Sequence, residues 1–167
     1  MNTHLVARGS GPQDCVWEVH AGGTTHDYST WLTVRCQAQT VAEGGMSTNL
    51  VHRRDLISVY DAVSKRGPRR FAVRVSTAIS AARATLATGQ TLPVPLHDDS
   101  DGPENAGRIG VLLLPHHYAV QTVELLSGSH NVVTWHADEP PAQRKGHRVS
   151  RRLPRQARLN ATDSRRS

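Results

Sequence analysis

The side chains best able to do chemistry in this chain of 167 residues are basic, and they come in two groups. His52, Arg53 and Arg54 precede Lys65, Arg66, Arg69 and Arg70. Presented together on one surface, these groups would neutralise backbone phosphates of a nucleic acid. The second group is Arg144, Lys145, Arg148, Arg151, Arg152, Arg155 and Arg158 near the C-terminus, which would attract any polyanion. That segment has no aromatic residue on which a base could stack, so sequence-specific recognition of single strands is not expected from it.

Metal and catalytic chemistry find less support. Cys15, His20, His26 and Cys36 are ligand types, but their spacing matches no compact zinc site. In the run from His97 to Arg108, Asp99, Asp101 and Gly102 fall at offsets like those of a calcium loop. His97 would occupy the first ligand position and Arg108 that of the bidentate glutamate, which excludes calcium. His116 and His117 are adjacent, so on a helix they would point about 100° apart. There is no nucleophile elbow, phosphate loop or dinucleotide glycine pattern. No enzyme activity, cofactor or metal is expected.

Composition narrows the class. Aromatic residues make up 4% of the chain, with a single Phe, and hydrophobic residues 37%. That is thin for a tightly packed domain of this length. No apolar run approaches the roughly 20 residues of a membrane helix, and the first residues lack the pattern of a secretory signal. Cys15 and Cys36 could pair, but nothing else points to an oxidising compartment, and a cytoplasmic location is the expectation. The net charge of +6 is unevenly spread. Residues 1–45 carry two Arg against four acids, whereas from Pro141 onward nine Lys or Arg face only Asp163. The high pI therefore describes a C-terminal arm.

The elements that would position these groups divide the chain in three. Residues 1–45 show strand-like alternation at 15–19 and 31–35 around a turn-rich Ala21-Gly22-Gly23-Thr24-Thr25, which reads as a hairpin. Residues 46–128 read as a small α+β domain of helix-strand-strand-helix form, flanked by disordered termini. Its first helix is predicted over 52–65, with Leu56, Val59, Tyr60 and Val63 in one stripe. A strand over 71–75, an Ala-rich helix over 80–87, an extended Leu92–Leu96, a strand over 109–114 and a helix over 116–126 follow. Leu56, Val59, Val63, Val111, Leu113 and Val123 are the expected core. Residues 129–167 are too polar and too uniformly charged to fold alone.

Two stretches of this middle part resemble the Phd/YefM-type antitoxins, small bacterial proteins paired with a toxin gene. The first is VHRRDLISVYDAVSKRGPRRFAVRV, matching at His52-Arg53-Arg54-Asp55-Leu56, Val59, Tyr60, Val63, Gly67 and 71–75. The second is IGVLLLPHHYAVQTVELLSG, matching at Val111, Leu112, Tyr118, Thr122, Val123, Leu125 and Leu126. The resemblance implies a homodimer that binds operator DNA through its N-terminal part, represses its own operon and neutralises a cognate toxin protein. The sequence departs from the family in two ways. An insert over 76–108 separates strands that the family joins by a tight turn, and the tail is basic where family tails are commonly acidic. Glu43-Gly44-Gly45 before Met46 would be encoded by a purine-rich stretch of the kind that precedes bacterial start codons. Residues 1–45 are then either an extension outside the native protein or a segment joined by a Gly-Gly linker. Other readings of the whole chain are a largely disordered basic accessory protein that binds nucleic acid, and a poorly folding frame without selected function.

Overall fold

The computed structural model describes residues 3–24, 27–37, 39–48, 56–63, 67–104 and 106–137. These residues form twelve strands: β1 (Thr3–Ser10), β2 (Cys15–Thr24), β3 (Asp27–Cys36), β4 (Gln39–Thr48), β5 (Ile57–Ala62), β6 (Arg69–Val75), β7 (Ala81–Leu86), β8 (Thr91–Val94), β9 (Leu96–Asp98), β10 (Arg108–Leu114), β11 (Val120–Ser127) and β12 (His130–His136). No helix occurs among the described residues, so the expected α+β domain is replaced by an all-β one.

The strands make three antiparallel sheets, ordered β1-β2-β3-β4, β5-β6-β10-β9 and β12-β11-β7-β8. The first is a plain meander. In β3 the buried residues are Tyr28, Thr30, Leu32 and Val34, every second one, as a half-buried strand requires. The expected hairpin over 15–19 and 31–35 is present and longer than predicted, pairing Cys15 with Cys36 at one end and Thr24 with Asp27 at the other. Cys15 and Cys36 form a disulfide across directly opposed positions of β2 and β3.

The second sheet lies between the other two and is buried on both faces. Phe71, Val73 and Val75 of β6 join Ala82, Ala84, Leu86, Val123 and Leu125 of the third sheet in one core. Ala72 of β6, with Ile109 and Val111 of β10, joins Trp17, Val19, Leu32 and Val34 of the meander in another. Edges β1 and β9, and edges β4 and β5, also approach each other, so the meander and the middle sheet enclose their core on two sides. Among β5 to β12, the facing orders 5-6-10-9 and 12-11-7-8 are those of an immunoglobulin-type sandwich. The chain crosses between its sheets at Pro95, which separates β8 from β9. Here Gly110 admits the crossing: a Cβ on it would lie 2.5 Å from Val94 Cγ1 and 3.1 Å from the Pro95 carbonyl oxygen.

Each misread helix has a physical cause. In β5, Ile57 and Val59 pack toward the third sheet while Tyr60 packs toward the meander. Apolar residues on both faces of a doubly covered strand imitated a helical stripe, and Val63 at its end is 47% exposed. Residues 52–55 and 64–66 of that expected helix lie outside the described part. In the Ala-rich stretch Ala82, Ala84 and Leu86 are buried and Arg83 is exposed, a period of two that overrides the helix preference of alanine. In β11 an irregularity between Val120 and Thr122 adds a residue, which puts Val120 and Val123 on the same face. This bulge produced the spacing of three that read as a helix over 116–126.

Of the six expected core residues, Leu56, Val59 and Val123 lie in the first core and Val111 and Leu113 in the second, while Val63 is outside both. The expected strands over 71–75 and 109–114 do pair, as β6 and β10, while residues 76–108 between them supply β7 to β9. Residues 130–136, expected to open the disordered tail, are β12. A boundary before Met46 falls inside β4, where Met46 is opposite Thr30. Removing residues 1–45 would uncover Ala72, Ile109 and Val111, so this truncation should lose the cooperative thermal transition that the full chain shows by circular dichroism. An unchanged sharp transition would contradict the shared core.

Candidate functional site

β6 alternates, and its even-numbered residues Arg70, Ala72 and Arg74 face the meander. Arg74 is therefore a cation inside a β-sandwich, with a side chain that is 0% exposed. Such a charge is tolerated only with close partners. Arg74 donates from Nη2 to the Thr30 hydroxyl of β3 and from Nη1 to the Ala106 carbonyl. Its Nη2 lies 3.8 Å from Oδ2 of Asp99, which is also fully buried, and its guanidinium sits 5.3 Å from the centre of the Tyr28 ring. Burial pushes the guanidinium below the usual arginine range, and the Asp99 carboxylate opposes that shift.

Asp99 gathers the rest of the site. It follows β9 directly and heads the turn in which the Gly102 amide donates to the Asp99 carbonyl. The Tyr28 hydroxyl donates to Asp99 Oδ2 at 2.6 Å, and Asp99 Oδ1 is 2.6 Å from His4 Nε2. The Tyr28 hydroxyl is also 3.3 Å from that nitrogen. An ionised carboxylate only accepts, so the His4 nitrogen that faces Asp99, Nε2, carries a proton and donates to it; in the neutral ring Nδ1 is then the acceptor. Burial, then the hydrogen bond to Asp99, raises the Tyr28 phenol well above the usual tyrosine value. Gly102 lets the turn close on this group, since a Cβ there would lie 2.6 Å from the Tyr28 hydroxyl.

On the solvent side of His4 lies an open cleft of about 390 Å³, lined by His4, Gly22, Gly23, Thr24, Tyr28, Asp101, Gly102 and Pro103. The register explains its place: His4 is opposite Ala21, and Gly22 and Gly23 continue β2 past the last bulky inward residue. The site can hold a proton acceptor, His4 Nδ1, in a fixed orientation beside one free carboxylate, Asp101. Arg74 is kept behind this wall by its own partners.

The residues expected from sequence lie elsewhere. The Arg69 fork is taken up by Asp61, with contacts of 2.8 and 2.7 Å, and Arg70 is 8% exposed. His52, Arg53, Arg54, Lys65 and Arg66 lie outside the described residues, as do Arg144, Lys145, Arg148, Arg151, Arg152, Arg155 and Arg158. Cys15 and Cys36 bind each other and are not metal ligands, and among the described residues no cluster of three metal-binding side chains occurs. His97 stands edge-on to Trp17 and His117 packs on Tyr118. Sequence reasoning missed His4, Tyr28 and Arg74. One signal was present for Arg74: a cation inside the apolar Phe71–Val75 run implies a buried partner. Asp99 and Asp101 stand out in sequence only as part of a calcium-loop pattern that His97 and Arg108 exclude.

Two outcomes follow from the network. Asp99→Asn would leave Arg74 without its counter-charge and should lower stability by about 3–5 kcal/mol in urea unfolding; a loss below about 1 kcal/mol would contradict the pairing. The raised Tyr28 pKa means the folded chain keeps a proton that the unfolded chain releases. Its contribution is complete below about pH 10 and is lost as pH climbs above that. Tyr28→Phe should therefore flatten the fall in melting temperature between about pH 9.5 and 11, and an unaltered slope would count against it.

Compared with known proteins, the chain matches no family model, no curated protein and no solved structure.

Proposed function

We propose that the chain is a ligand-binding β-module whose cleft takes a ligand through a protonated amine or guanidinium group. The observation that carries this reading is the one-sided chemistry of the cleft. Among the described residues its charged lining residue is the Asp101 carboxylate, His4 and the Thr24 hydroxyl add groups able to accept, and no Lys or Arg lines it. A donor-rich cation complements that set. The preorganised His4 supplies direction, because its ring is fixed by Asp99 rather than by the ligand. The immunoglobulin-type strand order is neutral on this point, since that architecture serves unrelated functions.

We also propose an oxidising working compartment in place of the cytoplasm, on the ground that Cys15 and Cys36 are joined. The operator and toxin partners suggested by the antitoxin resemblance depended on a helix over 52–65, of which 57–62 is strand β5. Nothing in the described residues adds support for them.

Isothermal titration of the full chain with methylguanidine, n-butylamine and, as an uncharged control, n-butanol tests the cleft. The two cations should bind saturably and perturb the His4 ring resonances. Asp101→Asn should weaken them about fivefold, the upper end of what one exposed ion pair contributes (about 1 kcal/mol). Equal binding by Asp101→Asn, or cation binding that leaves His4 unperturbed, would overturn the assignment.

A further inference from the structure

Arg70 differs from Arg74 in one decisive respect. Both lie on the same face of β6, about 13 Å apart along the strand. Arg74 has Thr30, Ala106 and Asp99. Arg70 is 8% exposed, and its Nε is closed off from solvent without an acceptor among the described residues, with no terminal partner of the kind that Arg74 has. Its cross-strand neighbours are Ala62 and Leu113, neither of which offers a charge. The nearest carboxylate on the same hairpin, Asp61, already spends both oxygens on Arg69. A buried guanidinium N–H left without an acceptor is destabilising. Its planar fork fits two oxygens of one anion.

We infer that Arg70 is the floor of an anion site for a small oxyanion, a carboxylate or a phosphate, at the opposite end of β6 from the Asp99 cluster. The turn that follows β1 closes over this end: Gly11 is packed so tightly on Leu113 that a Cβ would lie 2.7 Å from the leucine's own Cβ. The site is independent of the cation cleft, which lies beside His4 and Asp101.

Thermal melting of the full chain tests it, with sodium phosphate or sodium acetate titrated at constant ionic strength against sodium chloride. At least one of the two anions should raise the melting temperature by several degrees and saturate, as binding to the folded state requires. Arg70→Met, which keeps the stem and removes the charge, should abolish that shift, whereas Arg35→Gln on the surface should keep it. Should Arg70→Met fail to fold, Arg70→Lys decides the matter: with an ammonium in place of the fork, its apparent affinity for the same anion should fall at least tenfold. A response to neither anion, or an undiminished one in Arg70→Met or Arg70→Lys, would overturn the site.

Discussion

The Arg74 guanidinium has to be satisfied inside the fold, and much of the molecule's arrangement follows from how this is done. Its strand β6 runs down the middle sheet, so the side chain enters the space between that sheet and the meander. Three separate pieces of chain come to meet it: Thr30 from the meander, and Asp99 and Ala106 from the two sides of the loop between β9 and β10. Once Asp99 is fixed there, Tyr28 and His4 are fixed by it, and the cleft beside His4 takes its shape. Hydrophobic burial brings the sheets together without specifying their offset; the hydrogen bonds to one buried cation do specify it.

The doubly covered middle sheet is the second constraint. A sheet with one wet face shows polar residues at alternate positions, and the meander does so. In β6 and β10 both faces need apolar or satisfied side chains, which gives the nearly continuous Phe71–Val75 and Ile109–Leu114 runs. The third sheet closes one face and the meander the other. The low aromatic content suits this design, because small residues such as Ala72, Ala82 and Ala84 let the layers approach closely. It also leaves the fold dependent on a few large side chains, Trp17 and Phe71 foremost.

How much of this was legible depended on whether the pattern was local. The β2-β3 hairpin and the β6-β10 strands could be read, because alternation or a short apolar run was unmistakable. β5, β7 and β11 could not. Two-faced burial, alanine's helix preference and a bulge each produced a spacing that mimicked a helix. The Arg74 cluster was less legible still. His4, Tyr28, Asp99 and Arg74 come from four stretches spread over most of the described chain, and no local spacing relates them. The sequence marked only the anomaly of an arginine in an apolar strand. The basic residues that stood out most in sequence led away from the site: Arg69 serves Asp61, and Arg70 is buried.

The Arg74 to Asp99 network joins the meander and the sandwich into one cooperative unit. Native-state hydrogen exchange tests it directly, comparing the amides of Val19 and Leu32 in the meander with those of Val73 and Val123 in the other two sheets. In the unaltered chain all four should open with the same free energy and the same denaturant dependence, as parts of one global unfolding step. In Thr30→Val with Arg74→Met, the meander pair should open separately and at lower free energy. If Val19 and Leu32 already exchange by an independent, easier opening in the unaltered chain, the network does not join the layers and the account fails.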